Sequence, residues 1–195
     1  MVWVLVGVVV VLLLVIGALF VRQRRSQRLK QGFGPEYERV IAEQGDRRAG
    51  EKELLERRKR HDRLEIRPLE ESAREDYRQR WEATQRRFVD RPDAAVGQAS
   101  VLVRQVMRER GYPVDDDFEQ MAADVSVEHP GVVENYRAAH VISARAAGGQ
   151  ASTEDLRQAM VHFRALFDEL LAGVDSAGAE RPPRGEASRE TTARG

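Results

Sequence analysis

VWVLVGVVVVLLLVIGALFV, residues 2–21, opens the chain with no charge and no proline. About 20 such residues in a helix span about 30 Å, the depth of a bilayer's hydrocarbon core. A helix is also the single-segment structure that satisfies every backbone polar group from within. Trp3 and Phe20 stand near the two ends, where aromatic rings tolerate an interface. A cleaved signal peptide would need a basic leader and a small-residue cleavage site. Here only Met1 precedes the run, and Val21 passes straight into Arg22. Residues 1–21 are therefore expected to be a retained transmembrane helix.

Residues 22–34 form a basic segment and hinge. Arg22, Arg24, Arg25, Arg28 and Lys30 crowd behind the apolar run. The positive-inside rule then places everything after Val21 in the cytoplasm of a single-pass cell-membrane protein. The same five cations are the candidate contacts for anionic lipid head groups, at ~1 kcal/mol each near a surface. Their plainer role is to set orientation. Gly7 and Gly17 are not at GxxxG spacing, so nothing specific supports a homo-oligomer through this helix.

The 195 residues leave room for one modest domain beyond the apolar run. The 32 basic and 32 acidic residues cancel, which argues against a whole-domain footprint for nucleic acid. There is no cysteine, which removes disulfides, thiolate metal sites and a thiol nucleophile.

Residues 35–68 read as a charged helical stalk and an extended strap. Pro35 suits a first helical turn, Tyr37, Val40 and Ile41 share a face, and Gly45 ends it. Residues 46–63 are dense in charge, with Leu54 and Leu55 almost alone as large apolar residues. Glu53 with Arg57, and Glu56 with Arg60, stand four apart in the favourable order. In Leu64-Glu65-Ile66-Arg67-Pro68 the period changes, and Pro68 pushes Arg67 out of helical geometry.

Residues 69–172 carry the helical period of a small multi-helix bundle. Tyr77, Trp81, Thr84 and Phe88 make one stripe, and Val96, Ala99, Val103 and Val106 another. Pro92 starts the second helix and Gly111-Tyr112-Pro113 stops it. Asp115, Asp116 and Asp117 sit where a helix start favours negative charge. His129-Pro130 is expected to open the next helix, with Val133, Tyr136 and His140 on its face. Ser152-Thr153-Glu154-Asp155 opens the last, whose stripe is Leu156, Met160, Phe163, Phe167 and Leu170. Residues 173–195 are Gly, Ala, Ser, Pro and mixed charge, the composition of a disordered tail. The fold class expected is all-α.

GPEYERV, LEIRPL, YRQRWEATQRRFVDRPDAAV, VMRERGYP, VEHPGVVENYRAAH and STEDLRQAMVHFRALFDELL together resemble a widespread bacterial family of uncharacterised, membrane-anchored helical proteins. Its members are often labelled hypothetical membrane or secreted proteins. The resemblance covers Gly34 to about Leu171. It implies a folded helical domain and carries no catalytic residue or cofactor across.

Of the four histidines, His61, His129, His140 and His162, no pair has the i, i+4 spacing of a helical metal clip, and HExxH is absent. His140 and His162 fall on different helices and could meet. A packing role is the plainer one, since a metal site needs three or four converging ligands. The Asp115–Asp117 run lacks the EF-hand glycine and terminal glutamate, so capping explains it better than a cation. Walker, GxGxxG and GxSxG motifs do not occur. Arg47, Arg48, Arg57, Arg58, Lys59 and Arg60 form a second basic run, but without interleaved aromatics for nucleic-acid stacking. No cofactor, metal or nucleic acid is expected, and no catalytic residue can be named. The leading expectation is a membrane-tethered module that docks an unidentified protein partner. An enzyme using His129, His140 or the Asp115–Asp117 run, and an organiser of anionic lipid surfaces, are the alternatives.

Overall fold

The structure, a computed structural model, describes residues 2–115 and 117–173, apart from the side chains of residues 2–12, 14, 15 and 18. Among the described residues the elements are eight helices and no strand. They are α1 (Val2–Phe33), α2 (Pro35–Gln44), α3 (Arg47–His61), α4 (Glu71–Arg87), α5 (Pro92–Arg110), α6 (Phe118–Glu128), α7 (Val133–Ala147) and α8 (Thr153–Ala172). Of the expected tail, residues 173–195, all but Gly173 lies outside the described residues, as does Asp116.

Local chemistry sets most of the boundaries. Pro35 and Pro92 occupy first helical turns, where no backbone N–H is needed. Gly45 and Gly111 close α2 and α5 in the left-handed conformation that a side chain disfavours. Gly111 has a second reason to be glycine. A Cβ there would meet the Glu65 carbonyl oxygen at 2.4 Å. The extended strap thus runs against the end of α5, where Arg67 N–H donates to the Arg110 carbonyl at 2.9 Å. Asp117 caps α6 by accepting from Gln120 N–H, and Ser152 with Asp155 forms a reciprocal capping box on α8. His129 does not open α7 as expected: it closes α6, and α7 begins at Val133 after a turn.

The main core lies between α4, α5, α6, α7 and α8. Trp81, Val103, Met107, Phe163, Leu166 and Phe167 are among its buried side chains. Trp81 and Phe167 stack with centroids 4.6 Å apart. At about 1.5–3 kcal/mol for each large apolar side chain fully buried, this is the chief drive to fold.

A second, smaller core holds Leu29, Phe33, Tyr37, Val40 and Leu54, with Ile41, Leu55 and Val127 packed around it. The stretch expected to be an exposed stalk is thus a hairpin of α2 and α3, folded onto the last turns of α1. Gly50 lets the two helices approach, since a Cβ there would stand 2.5 Å from the Ile41 Cδ1. Val127 and the contacts of α3 with α6 tie this unit to the bundle. Glu53 does bond Arg57, at 2.9 Å, but Glu56 pairs with Lys59 rather than Arg60.

The N-terminal expectation needs correction. Of the expected basic segment and hinge, only Gly34 is a turn: α1 continues unbroken through residues 22–33, and Ser26, Leu29 and Phe33 are buried against α2 and α3. The expected transmembrane run falls largely on side chains outside the described set. Among the described residues no helix is long and apolar enough to cross a membrane. The placement as a single-pass cell-membrane protein with a cytoplasmic domain is corrected on that finding.

Candidate functional site: two closed ion clusters and an open basic groove

Three arrangements of charge stand out, and two of them are closed. In the first, Glu36 sits on the buried stripe of α2 with Tyr37 and Val40. It accepts from Arg57 at 2.8 Å, from Arg137 at 2.9 and 3.0 Å, and from Arg39 at 3.1 Å. Burial opposes its charge, yet the hydrogen bonds from Arg39 and Arg137 outweigh that and hold the carboxyl below its usual range. Arg57 comes from α3 and Arg137 from α7, so this cluster clasps the small core to the bundle.

The second cluster forms where α3, α5, α6 and α8 all end. Helix C-termini carry partial negative charge. Arg110, with no exposed surface, lies among them. It donates to the Leu170 carbonyl at 3.3 Å and approaches Glu128 at 3.5 Å. Tyr112 donates to Glu128 at 2.6 Å, and His61 stands 3.5 Å from the same carboxylate.

Arg110 is also 3.2 Å from Nε2 of His129. A guanidinium can only donate, so Nε2 accepts and the proton sits on Nδ1, which faces Glu169 at 3.4 Å. Burial, then Arg110, depress the His129 pKa, against the pull of Glu128 and Glu169. The histidines that converge are therefore His61 and His129, around Glu128. His140 and His162 go elsewhere. His140 stacks on Phe118, and His162 Nδ1 pairs with Asn135 at 3.0 Å.

The third arrangement is open. Arg22 and Arg25 of α1 face Arg48, Lys52 and Lys59 of α3 across a groove of about 410 Å³ with Leu55 on its wall. Two carboxylates share it, and both are engaged. Glu51 accepts from Tyr37 at 2.9 Å and Arg47 at 3.0 Å, as well as from Ser26, and Glu56 is held by Lys59 at 2.8 Å. Arg22, Arg25, Arg48 and Lys52 are exposed and make no ion pair among the described residues. Beyond the groove along α1, Leu13, Ile16, Leu19, Phe20 and Val21 are all more than half exposed.

The five candidate head-group contacts thus divide. Arg22 and Arg25 line the groove, Arg24 covers the Phe20 ring at 4.3 Å, Lys30 pairs with Glu38, and Arg28 is exposed. The second basic run divides too. Arg57 and Arg60 turn inward to Glu36 and Asp124, and Arg58 covers Phe33, while Arg48 and Lys59 face the groove.

Sequence reasoning passed over Glu36, Arg110, Arg137 and Glu128. The available signal was a charge on an apolar stripe: Arg110 follows Val103, Val106 and Met107 at helical spacing, and Arg137 follows Val133.

No protein-family model, no curated protein and no solved structure matches this chain. The resemblance to membrane-anchored helical proteins gains nothing from these comparisons. Among the described residues no group of His, Asp and Glu is placed to hold a metal ion.

Proposed function

We propose that this chain is a helical docking module whose α1–α3 groove receives an acidic, amphipathic helix of a partner protein. The observation that supports the reading is the convergence of Arg22, Arg25, Arg48 and Lys52 with no carboxylate left over to neutralise them. Long cationic side chains on an exposed face attract a complementary partner and speed its encounter. Leu55 within the groove, and Leu19 and Phe20 beside it, offer apolar surface to the partner's other face. The buried clusters are spent on holding helices together, and no substrate needs to reach Arg110 or Glu36.

The test uses a fluorescent helical peptide with glutamates on one face and leucines on the other. Binding should weaken steeply from low to high salt, and Arg22→Glu with Arg48→Glu should reduce it at least tenfold. Equal binding by the same peptide with glutamine in place of glutamate would overturn the reading. Binding to vesicles of anionic lipid, with none to the peptide, would replace a protein partner by a lipid surface.

A further inference from the structure

A separate cavity of about 250 Å³ opens between α5, the start of α6 and α7. Two of the side chains that sequence alone singled out for a possible site, His140 and Asp115, line it, whereas His129 does not. His140 and Phe118 stack with centroids 3.6 Å apart and planes 7° from parallel, so two rings form a flat wall. Arg104 reaches the cavity from α5 and makes no ion pair or hydrogen bond among the described residues. Tyr136 is buried beside the rings and Ser143 adds a hydroxyl. One small cavity therefore offers a cation, a carboxylate, an aromatic wall and hydroxyls.

The geometry points to a binding site for a small zwitterion bearing a planar ring, the class to which the aromatic α-amino acids belong. Each part of such a ligand has a counterpart. A carboxylate suits the planar fork of Arg104, which binds it through two parallel hydrogen bonds. An ammonium suits Asp115, whose Oδ1 accepts, among the described residues, the Asp117 backbone N–H. A ring stacks on the outer face of the His140–Phe118 pair. The volume, just below the roughly 300–1,000 Å³ of drug-sized sites, suits a single ring with a short arm. This site shares no residue with the α1–α3 groove, so the two proposals stand or fall apart.

The experiment is a titration of the isotopically labelled full chain with L-phenylalanine, read by amide chemical shifts. Shifts should centre on Arg104, Phe118 and His140 and saturate at millimolar concentration or below. Phenylacetate, phenethylamine and L-leucine each lack one of the three recognised groups. Each should bind about tenfold more weakly or worse, as expected when one charge-assisted or stacking contact is lost. Arg104→Gln and His140→Ala should weaken L-phenylalanine similarly, with helix content unchanged by circular dichroism. His140 is exposed and Arg104 half-buried, so both variants keep the core. No localised shift up to about 10 mM ligand would overturn the proposal. Equal binding of all four compounds, or indifference to Arg104→Gln, would overturn it as well.

Discussion

The bundle buries Trp81, Val103, Phe163 and Phe167 in a continuous apolar core, whereas the α1–α3 unit buries little beyond Leu29, Phe33, Tyr37, Val40 and Leu54. What the smaller unit lacks in apolar burial it replaces with Glu36 among three arginines. Apolar contact is non-directional and scales with area. A buried ion cluster stabilises weakly against its desolvation cost, but it tolerates one geometry only. The bundle is thus held by quantity, and the α1–α3 unit by fit. The joints between them are polar as well: Arg137 to Glu36, Arg60 to Asp124, and His61 to Glu128.

Breaking the bundle should break everything. Phe163→Ala removes a fully buried ring, and a loss of about 3–5 kcal/mol is expected, measured by urea unfolding. Probes in α3 and α8 should unfold at the same lowered midpoint.

Breaking the clasp should be more local. Glu36→Ala strands Arg57 and Arg137 near the low end of the cost of a broken buried pair, about 3 kcal/mol, because Glu53, Glu119 and Glu134 remain nearby. Amide hydrogen exchange should quicken in α2 and α3 while α8 keeps its protection. Equal loss in α8 would show that the two regions are one cooperative unit and end the contrast.

Acid should weaken the two regions in two steps, first at the end of the bundle and then at the clasp. The folded state keeps the His129 pKa below its ordinary 6.5, so the unfolded chain takes the proton first. The stability that His129 contributes within the bundle is therefore full above pH 6.5 and declines as pH falls below it. Glu36 is ionised in the folded state below its ordinary 4.5, so its contribution is present above that value and lost as pH falls further. Urea midpoints measured against pH should show both declines, and Glu36→Gln should shrink the lower one, to which Glu51 and Asp155 also contribute, while leaving the upper one in place.

The smallest effect lies on the surface of the bundle. Ser152→Ala deletes the cap of α8 and should cost about 1 kcal/mol by thermal unfolding, with no change in the α1–α3 unit.

The same contrast explains what the sequence could show. The bundle's helices were legible because apolar stripes and end signals agree: Pro92 and Gly111 bound α5, and the Ser152 box starts α8. In the α1–α3 unit the helices themselves were legible, with Gly45 ending α2, but their packing was not, since the charges look solvated until a partner from another helix is known. Arg57 reads as one more cation in a basic run, and Arg137 lies 101 residues from Glu36. The open groove was hidden for a related reason. Its cations sit on two separate stretches of chain, and only the reversal through α2 lays α3 beside α1. His140 and Asp115 were visible as residues, but Arg104 between them was not.

The continuity of α1 has a mechanical consequence. At 1.5 Å per residue its 32 residues form a rod of about 48 Å, and its far end is cemented into the small core at Leu29 and Phe33. A rod without a joint transmits twist and tilt as well as position. Whatever grips its leading end will also steer the body behind it, and the first place where that torque can be relieved is the turn at Gly34.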